Sequence, residues 1–331
     1  MQNFLSSLLV AIMLAFPATA SAQPTPVNLV DVSGHWAERD IKMVANLGIM
    51  IGTSAAEPGG DIFSPSTPVS RAQLAAVLQR TFQFDYGDIR FIKAPLASDY
   101  YQDVSDDAWY AEAVVLGTIN DIFTNSGYFA PDRAVTRLEV AQAIYRSFGA
   151  KGISVPMIMM MPVYEDTDTL SAEELNAVVF ASNTGIMRGE AGFFRPGDQV
   201  QRAELARVMA RCVNLMAIEE NYSGQEYRVP AGRTFIVALN SNPTTGYAWT
   251  LKDAGDGQVV TKVVDFYQNE ASGDEPLVGQ GGRHYWQFKA LQAGSAPLQL
   301  VYARPWESVQ PAQVFNLTVM VTSEATSAAA Q

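Results

Sequence analysis

Histidine and cysteine are almost missing from this sequence, with two His and one Cys in 331 residues. The single Cys212 has no partner for an internal disulfide, so the fold depends on packing even in an oxidising compartment. Its apolar helical surroundings make it a small core residue. His35 stands in a Gly-His-Trp turn and His284 opens a strand-like run. No spacing here supplies a nucleophile, a base and an orienting group, so the chain reads as a non-enzyme. Metal-ligand spacings and phosphate-cradling glycine loops are also absent, and no metal or cofactor is expected. Basic residues are few, 22 against 34 acidic, and the net charge of −12 excludes nucleic acid as a natural partner. Beyond the N-terminus no apolar run approaches the ~20 residues that a membrane span needs.

What is present begins with an apolar stretch, Phe4 to Phe16, followed by small residues ending at Ala20, Ser21 and Ala22. That pattern predicts a secretory signal over 1–22, although its first residues carry no Lys or Arg. No cysteine follows it to take a lipid, so attachment to an envelope would be non-covalent. The length predicts two or more domains, and 48% hydrophobic with 17% charged residues is a globular balance. Charge is uneven: residues 223–322 sum to −1 and residues 1–222 to −10. Two parts with different surfaces are expected.

Three segments of the first part align: FSPSTPVSRAQLAAVLQRTF from Phe63, FAPDRAVTRLEVAQAIYRSF from Phe129 and FRPGDQVQRAELARVMARCV from Phe194, at spacings of 66 and 65 residues. Each follows a segment with an acidic turn and apolar residues at helical spacing, such as Ile41, Val44 and Leu47. The units are therefore helix, loop, helix, over 30–84, 99–150 and 163–215. One pair alone buries too little, so the three must pack together. Between units two and three, PMIMMMP (156–162) is too short between prolines for a useful helix and reads as a linker.

An Asp-Val start, a Trp, a Gly-Ile pair, Phe-x-Pro and a box like Thr-Arg-Ala-Glu make residues 30–214 resemble the S-layer homology family. The resemblance implies a pseudo-threefold helical bundle that binds cell-wall polysaccharide. It carries glycan contact to the box arginines Arg71, Arg137 and Arg202, the early aspartates Asp31, Asp103 and Asp166, and the tryptophans Trp36 and Trp109. A guanidinium fork suits a sugar carboxylate and an indole offers a flat face to a sugar ring. The residues themselves leave open whether each arginine contacts ligand or braces the bundle. Unit three has Glu173 in place of the tryptophan, unit two has Asp121 in place of the glycine, and unit one carries an insertion, SAAEPGGD.

From Gln225 the periodicity changes to alternation. TFIVALNS, YAWTLKD, HYWQFKAL, PLQLVYAR and VFNLTVMV read as strands, with Phe315, Leu317, Val319 and Val321 inward. Residues 223–322 fit an antiparallel β-sandwich of immunoglobulin size, followed by a flexible tail, 323–331. Three connections stand out: NPTTGY, GQGG and RPWE. In the first, Asn242 can bond its own backbone, Pro243 fixes φ, Gly246 permits positive φ, and Thr244 and Thr245 have few rotamers, so the loop is ordered before it meets anything.

These loops, in this order, resemble those of chagasin-type inhibitors of papain-like cysteine proteases. The resemblance implies that they meet at one end of the sandwich as a wedge. Asn242 to Tyr247 would enter the protease cleft, with Thr244 and Thr245 nearest the catalytic cysteine. Gly279, Gly281 and Gly282 would let backbone approach the cleft wall, and Arg304, Pro305 and Trp306 would anchor the outside. The expected molecule is multidomain α + β, an exported, envelope-attached protease inhibitor. The competing reading is a structural or adhesive envelope protein whose sandwich binds another ligand.

Overall fold

A computed structural model describes residues 27–323 except 57–59, 88, 90, 158–159, 270–280 and 308. The signal-like stretch, Gly279 and the tail from 324 lie outside the described residues, as does part of PMIMMMP.

The first part is three helix pairs: α1 (Glu38–Asn46) with α2 (Arg71–Phe82), α3 (Ala111–Ile119) with α4 (Arg137–Ala150), and α5 (Ala172–Asn183) with α6 (Arg202–Met216). The box residues start the second helix of each pair. The Ser70 and Thr136 hydroxyls accept the amides of Gln73 and Glu139, whose side chains accept the Ser70 and Thr136 amides in return. At α6 the Glu204 carboxylate takes the Gln201 amide at 2.8 Å. The first helix of each pair packs on the second helix of the preceding one, α3 on α2 and α5 on α4, while α1 packs on α6. In the insertion of unit one, two short strands, β1 (Ser54–Ala56) and β2 (Gly60–Ile62), pair antiparallel.

Backbone bonds close the same cycle just ahead of the caps. Val69 N–H donates to Val200 O at 2.9 Å, Val200 to Val135 at 3.0 Å, and Val135 to Val69 at 2.9 Å. All three valines are buried. Three single amides thus satisfy three carbonyls where the units meet, in the setting in which an unpaired group would be most costly.

Among its described residues the second part has seven strands in two sheets: β3 (Gln225–Pro230), β4 (Thr234–Ser241), β5 (Ala248–Asp253), β6 (Val260–Asn269), β7 (Gly282–Ala290), β8 (Gly294–Ala303) and β9 (Gln313–Thr322). One sheet has the order β3-β9-β8-β5 and the other β4-β7-β6. Trp249, Trp286, Phe288, Leu300, Phe315 and Leu317 fill the space between them. The inward alternation expected in β9 is present. The expectation of a wholly antiparallel sandwich is corrected at one place, since β3 runs parallel to β9. The chain reaches β3 along the edge of β4, with Ile218 bonded to Ile236 O and Ala238 N–H, and Gly224 N–H then meets Asn316 O near the start of β9. From that entry point β3 can only run in the direction of β9.

The other face of β4-β7-β6 is covered by helices. Ala238 and Tyr285 belong to the helical core, and Ile236, Val264 and Phe266 pack against it. Polar contacts ring this apolar seam. Arg233 donates to Gln83 O at 2.7 Å and pairs with Asp85 at 2.7 Å, and Gln83 exchanges two bonds with the Thr234 backbone. Lys151 also reaches Gln83 O, and burial there pushes its amine down. Tyr285 hydroxyl donates to Asn214 on α6 at 2.9 Å.

Candidate functional site

The first and third marked connections of the sandwich meet at one pole, together with Gly281 and Gly282, the described end of the second. The first leaves β4 as a single 3-10 turn, Pro243–Thr245, closed by Thr245 N–H to Asn242 O at 3.2 Å and Gly246 N–H to Pro243 O at 2.9 Å. Both threonine hydroxyls bond back to Asn242, Thr244 to its side chain and Thr245 to its carbonyl, each at 2.6 Å. Gly246 has φ of 82°, and a Cβ there would lie 2.7 Å from the Trp306 ring. This glycine is needed twice, for the turn and for the neighbouring loop.

Tyr302 and Arg304 brace the turn from β8. Asn242 N–H donates to the Tyr302 hydroxyl at 2.8 Å, and the Tyr302 ring stacks on Tyr247. Arg304 lies 4.6 Å over the Tyr247 ring, donates to Thr245 O at 3.3 Å and pairs with Glu307 at 2.8 Å. From β7, Gly281 comes so close that a Cβ would sit 3.3 Å from Ser241 O, and at Gly282 one would sit 2.1 Å from Gln268 O. Pro243, Thr244, Thr245, Pro305 and Trp306 stay exposed, with Trp306 at 70%. The Tyr302 hydroxyl thus holds the tip in place while its ring packs beneath it.

The helical residues fall into repeated sets. Asp31, Asp103 and Asp166 each take two amides of their own unit, at Phe63 and Ser64, Phe129 and Ala130, and Phe194 and Arg195, at 2.7–2.9 Å. Ser64, Ala130 and Arg195 have φ of 55–59° ahead of a proline, so each carboxylate braces a left-handed turn that its residue type disfavours. Asp121 likewise keeps the left-handed position of the missing glycine, at φ 59°.

The box arginines reach across to the next unit. Arg202 stacks 4.5 Å over Phe63 and donates to Phe63 O and Ile51 O. Arg137 stacks 5.2 Å over Phe194 and donates to Phe194 O and Arg188 O. Arg71 stacks 4.8 Å over Phe129 but pairs with Glu139 at 2.9 Å, and its buried Nε has no hydrogen-bond partner among the described residues. Beside it opens a cavity of about 270 Å³, lined by Arg71, Phe123, Ser126, Glu139, Gln142 and Arg146. Trp36 and Trp109 are exposed, and Arg207 lies 4.3 Å over Trp36. Glu173, in the tryptophan position, pairs with Arg146.

A second arginine set escaped the sequence reading. Arg80, Arg146 and Arg211 donate to Ile49 O, Ile122 O and Ile186 O, each tying the second helix to the turn after the first. The signal was available, because all three occupy the tenth position of the aligned helices. Cys212 is fully buried and burial pushes its thiol far up, away from reactivity. His284 stacks on Trp286 and bonds to Asp265 at 3.0 Å, which with Lys262 holds that carboxyl down to about 2.

Residues 29–75 match the model of the S-layer homology domain, and residues 228–319 match that of the Chagasin family peptidase inhibitor I42. Among relatives, Amoebiasin-1 of Entamoeba histolytica is 27% identical over 32% of this chain and 99% of its own length. Chagasin of Trypanosoma cruzi is 27% identical over 27% of this chain and 81% of its own. The Surface-layer 125 kDa protein of Lysinibacillus sphaericus is 24% identical over 60% of this chain. The match spans only 15% of that surface-layer protein. The chain therefore joins an S-layer homology domain, at 29–75, to a peptidase inhibitor domain of the chagasin family, at 228–319.

Proposed function

We propose that this protein inhibits papain-like cysteine proteases from the cell envelope, with Thr244 and Thr245 filling the catalytic cleft while the helical part holds cell-wall polysaccharide. The observation that carries the reading is the meeting of the first and third loops with Gly281 and Gly282 at one pole, with an exposed tip braced from Asn242, Tyr302 and Arg304. Cleavage requires a peptide that can be drawn into attack geometry. The tip is curled by its own hydrogen bonds and pinned on two sides, so it can occupy a cleft while its carbonyls stay out of line. A loop ordered beforehand also loses less entropy on binding. Gly281 and Gly282 bring the β7 end close beside the tip, and Trp306 with Arg304 supplies the residue types most frequent at binding hot spots.

For the wall, the helical part is read as a pseudo-threefold S-layer homology bundle. The cyclic bonding of the three units supports it, and the groove at Arg71 has room beside a guanidinium group. The surface-layer relative supports the same location at the envelope.

The test is titration of the whole chain against papain. Stoichiometric inhibition is expected, weakened by about tenfold or more in Thr244→Ala and in Trp306→Ala. No inhibition at micromolar protein would overturn the reading and leave an envelope protein whose sandwich binds another ligand.

A further inference from the structure

We infer that the protease-facing surface continues beyond the three loops onto the start of the first helical unit, where Trp36 and Arg207 form a fourth contact. This rests on the reading of the pole as the protease-binding end. Two hydrogen bonds fix how α1 lies on the sandwich. Gln268 Nε2 donates to Arg39 O at 3.0 Å, and Gln287 Nε2 donates to Leu47 O at 3.4 Å. Gln268 is paired with Arg283, one residue from Gly282 at the pole, whereas Gln287 lies farther down β7.

The lengths agree. Arg39 to Leu47 spans about 12 Å of helix, and Arg283 to Gln287 spans about 13 Å of strand. The helix therefore runs along the strand with its N-terminus toward the pole. Trp36 stands three residues before Arg39, in the turn closed by Glu38 N–H to His35 O at 2.8 Å, and so enters the helix from its pole end.

Trp36 is suited to a contact there. It is 53% exposed, and its indole is covered on one side by Arg207, which also donates to Trp36 O and pairs with Asp40 at 2.9 Å. The ring is held between Arg207 and the neighbouring His35 ring, 5.2 Å away, while about half of the residue stays exposed, so little freedom is lost when a partner covers it. A protease seated on Thr244 and Gly282 has to extend past the pole on some side, since a standard interface buries about 800 Å² on each partner. On the side of β6 and β7 the next surface is the start of α1. An inhibitor of the sandwich alone would lack this contact, so it would tune which protease is held.

Trp109 provides an internal control: it occupies the same repeat position and is exposed, but precedes α3, which packs on α2. The experiment uses the full chain with papain as probe, comparing inhibition constants for Trp36→Ala, Trp109→Ala and Thr244→Ala, with oxidative footprinting of the complex as a second readout. Trp36→Ala is expected to weaken inhibition at least fivefold, mainly through faster dissociation, while Trp109→Ala matches the parent. Trp36 is expected to be protected in the complex and Trp109 not. If Thr244→Ala weakens inhibition while Trp36→Ala does not and Trp36 stays unprotected, the fourth contact is wrong and the pole reading stands. If the parent does not inhibit, both fall.

Discussion

Arg71, Arg137 and Arg202 hold one position of the repeat, yet their guanidinium groups do unequal work. Arg202 is 5% exposed and gives two bonds to backbone carbonyls beneath a ring stack; burial pushes its guanidinium down, opposed by Asp31. Replacing it with alanine strands the carbonyl of fully buried Phe63, and a loss of about 2–4 kcal/mol is expected in urea unfolding. Arg71→Ala removes one partly buried ion pair and leaves no carbonyl stranded, so about 1 kcal/mol or less is expected. The same substitution should cut co-sedimentation with purified cell-wall material, because the Arg71 side chain lines the groove and is given to no backbone carbonyl. Equal stability losses, with sedimentation unchanged, would show that Arg71 is a brace like Arg202. The sequence made the three arginines look alike because it records the position but not which carbonyl of the next unit each group can reach. Glu139, which draws Arg71 aside, is a member of the capping box, and nothing in its local spacing announces the second task.

At the scale of elements, the first loop works because a turn, a glycine and a neighbouring ring fit one another. Gly246→Ala adds a methyl group at φ 82°, against Trp306. About 1–2 kcal/mol of stability should be lost, and inhibition of papain should fall by about tenfold as the tip or the ring shifts. Retained affinity in a folded variant would show that the ring position does not matter to binding. Much of this element level was legible beforehand. The five alternating runs became strands because one face is apolar, and the Asn-Pro-x-x-Gly turn declared its own geometry. β6 was not marked, because a bulge between Lys262 and Val264 breaks its alternation, so that Val264 and Phe266 face the helices while Val260, of the same parity, faces the sandwich core. A strand covered on both faces loses the clean alternation that identifies it. The parallel entry of β3 was also hidden, since it follows from where the linker delivers the chain.

For the whole molecule the decisive feature is the seam between helices and sandwich. Domains in one chain commonly meet through modest polar surfaces and move relative to each other. Here Ala238 and Tyr285 are part of the helical core, and Arg233, Gln83, Asp85 and Lys151 close one rim of the contact. Separating the parts would expose Ile236, Val264 and Phe266 and leave a guanidinium without its partners. The intact chain is therefore expected to unfold in a single calorimetric transition, with van't Hoff and calorimetric enthalpies in agreement. Arg233→Ala should lower Tm by about 3–6 °C, since it removes hydrogen bonds to Gln83 and an ion pair to Asp85 at once. Two resolved transitions in the unaltered chain would mean that the seam is too weak to couple the parts, and the alignment of α1 with the pole would then be one of several arrangements. On the proposed function, a single transition gives the seam a consequence: a protease held at Thr244 would meet the first helical unit at a fixed angle, and a wall polymer held at Arg71 would set the direction in which the pole faces.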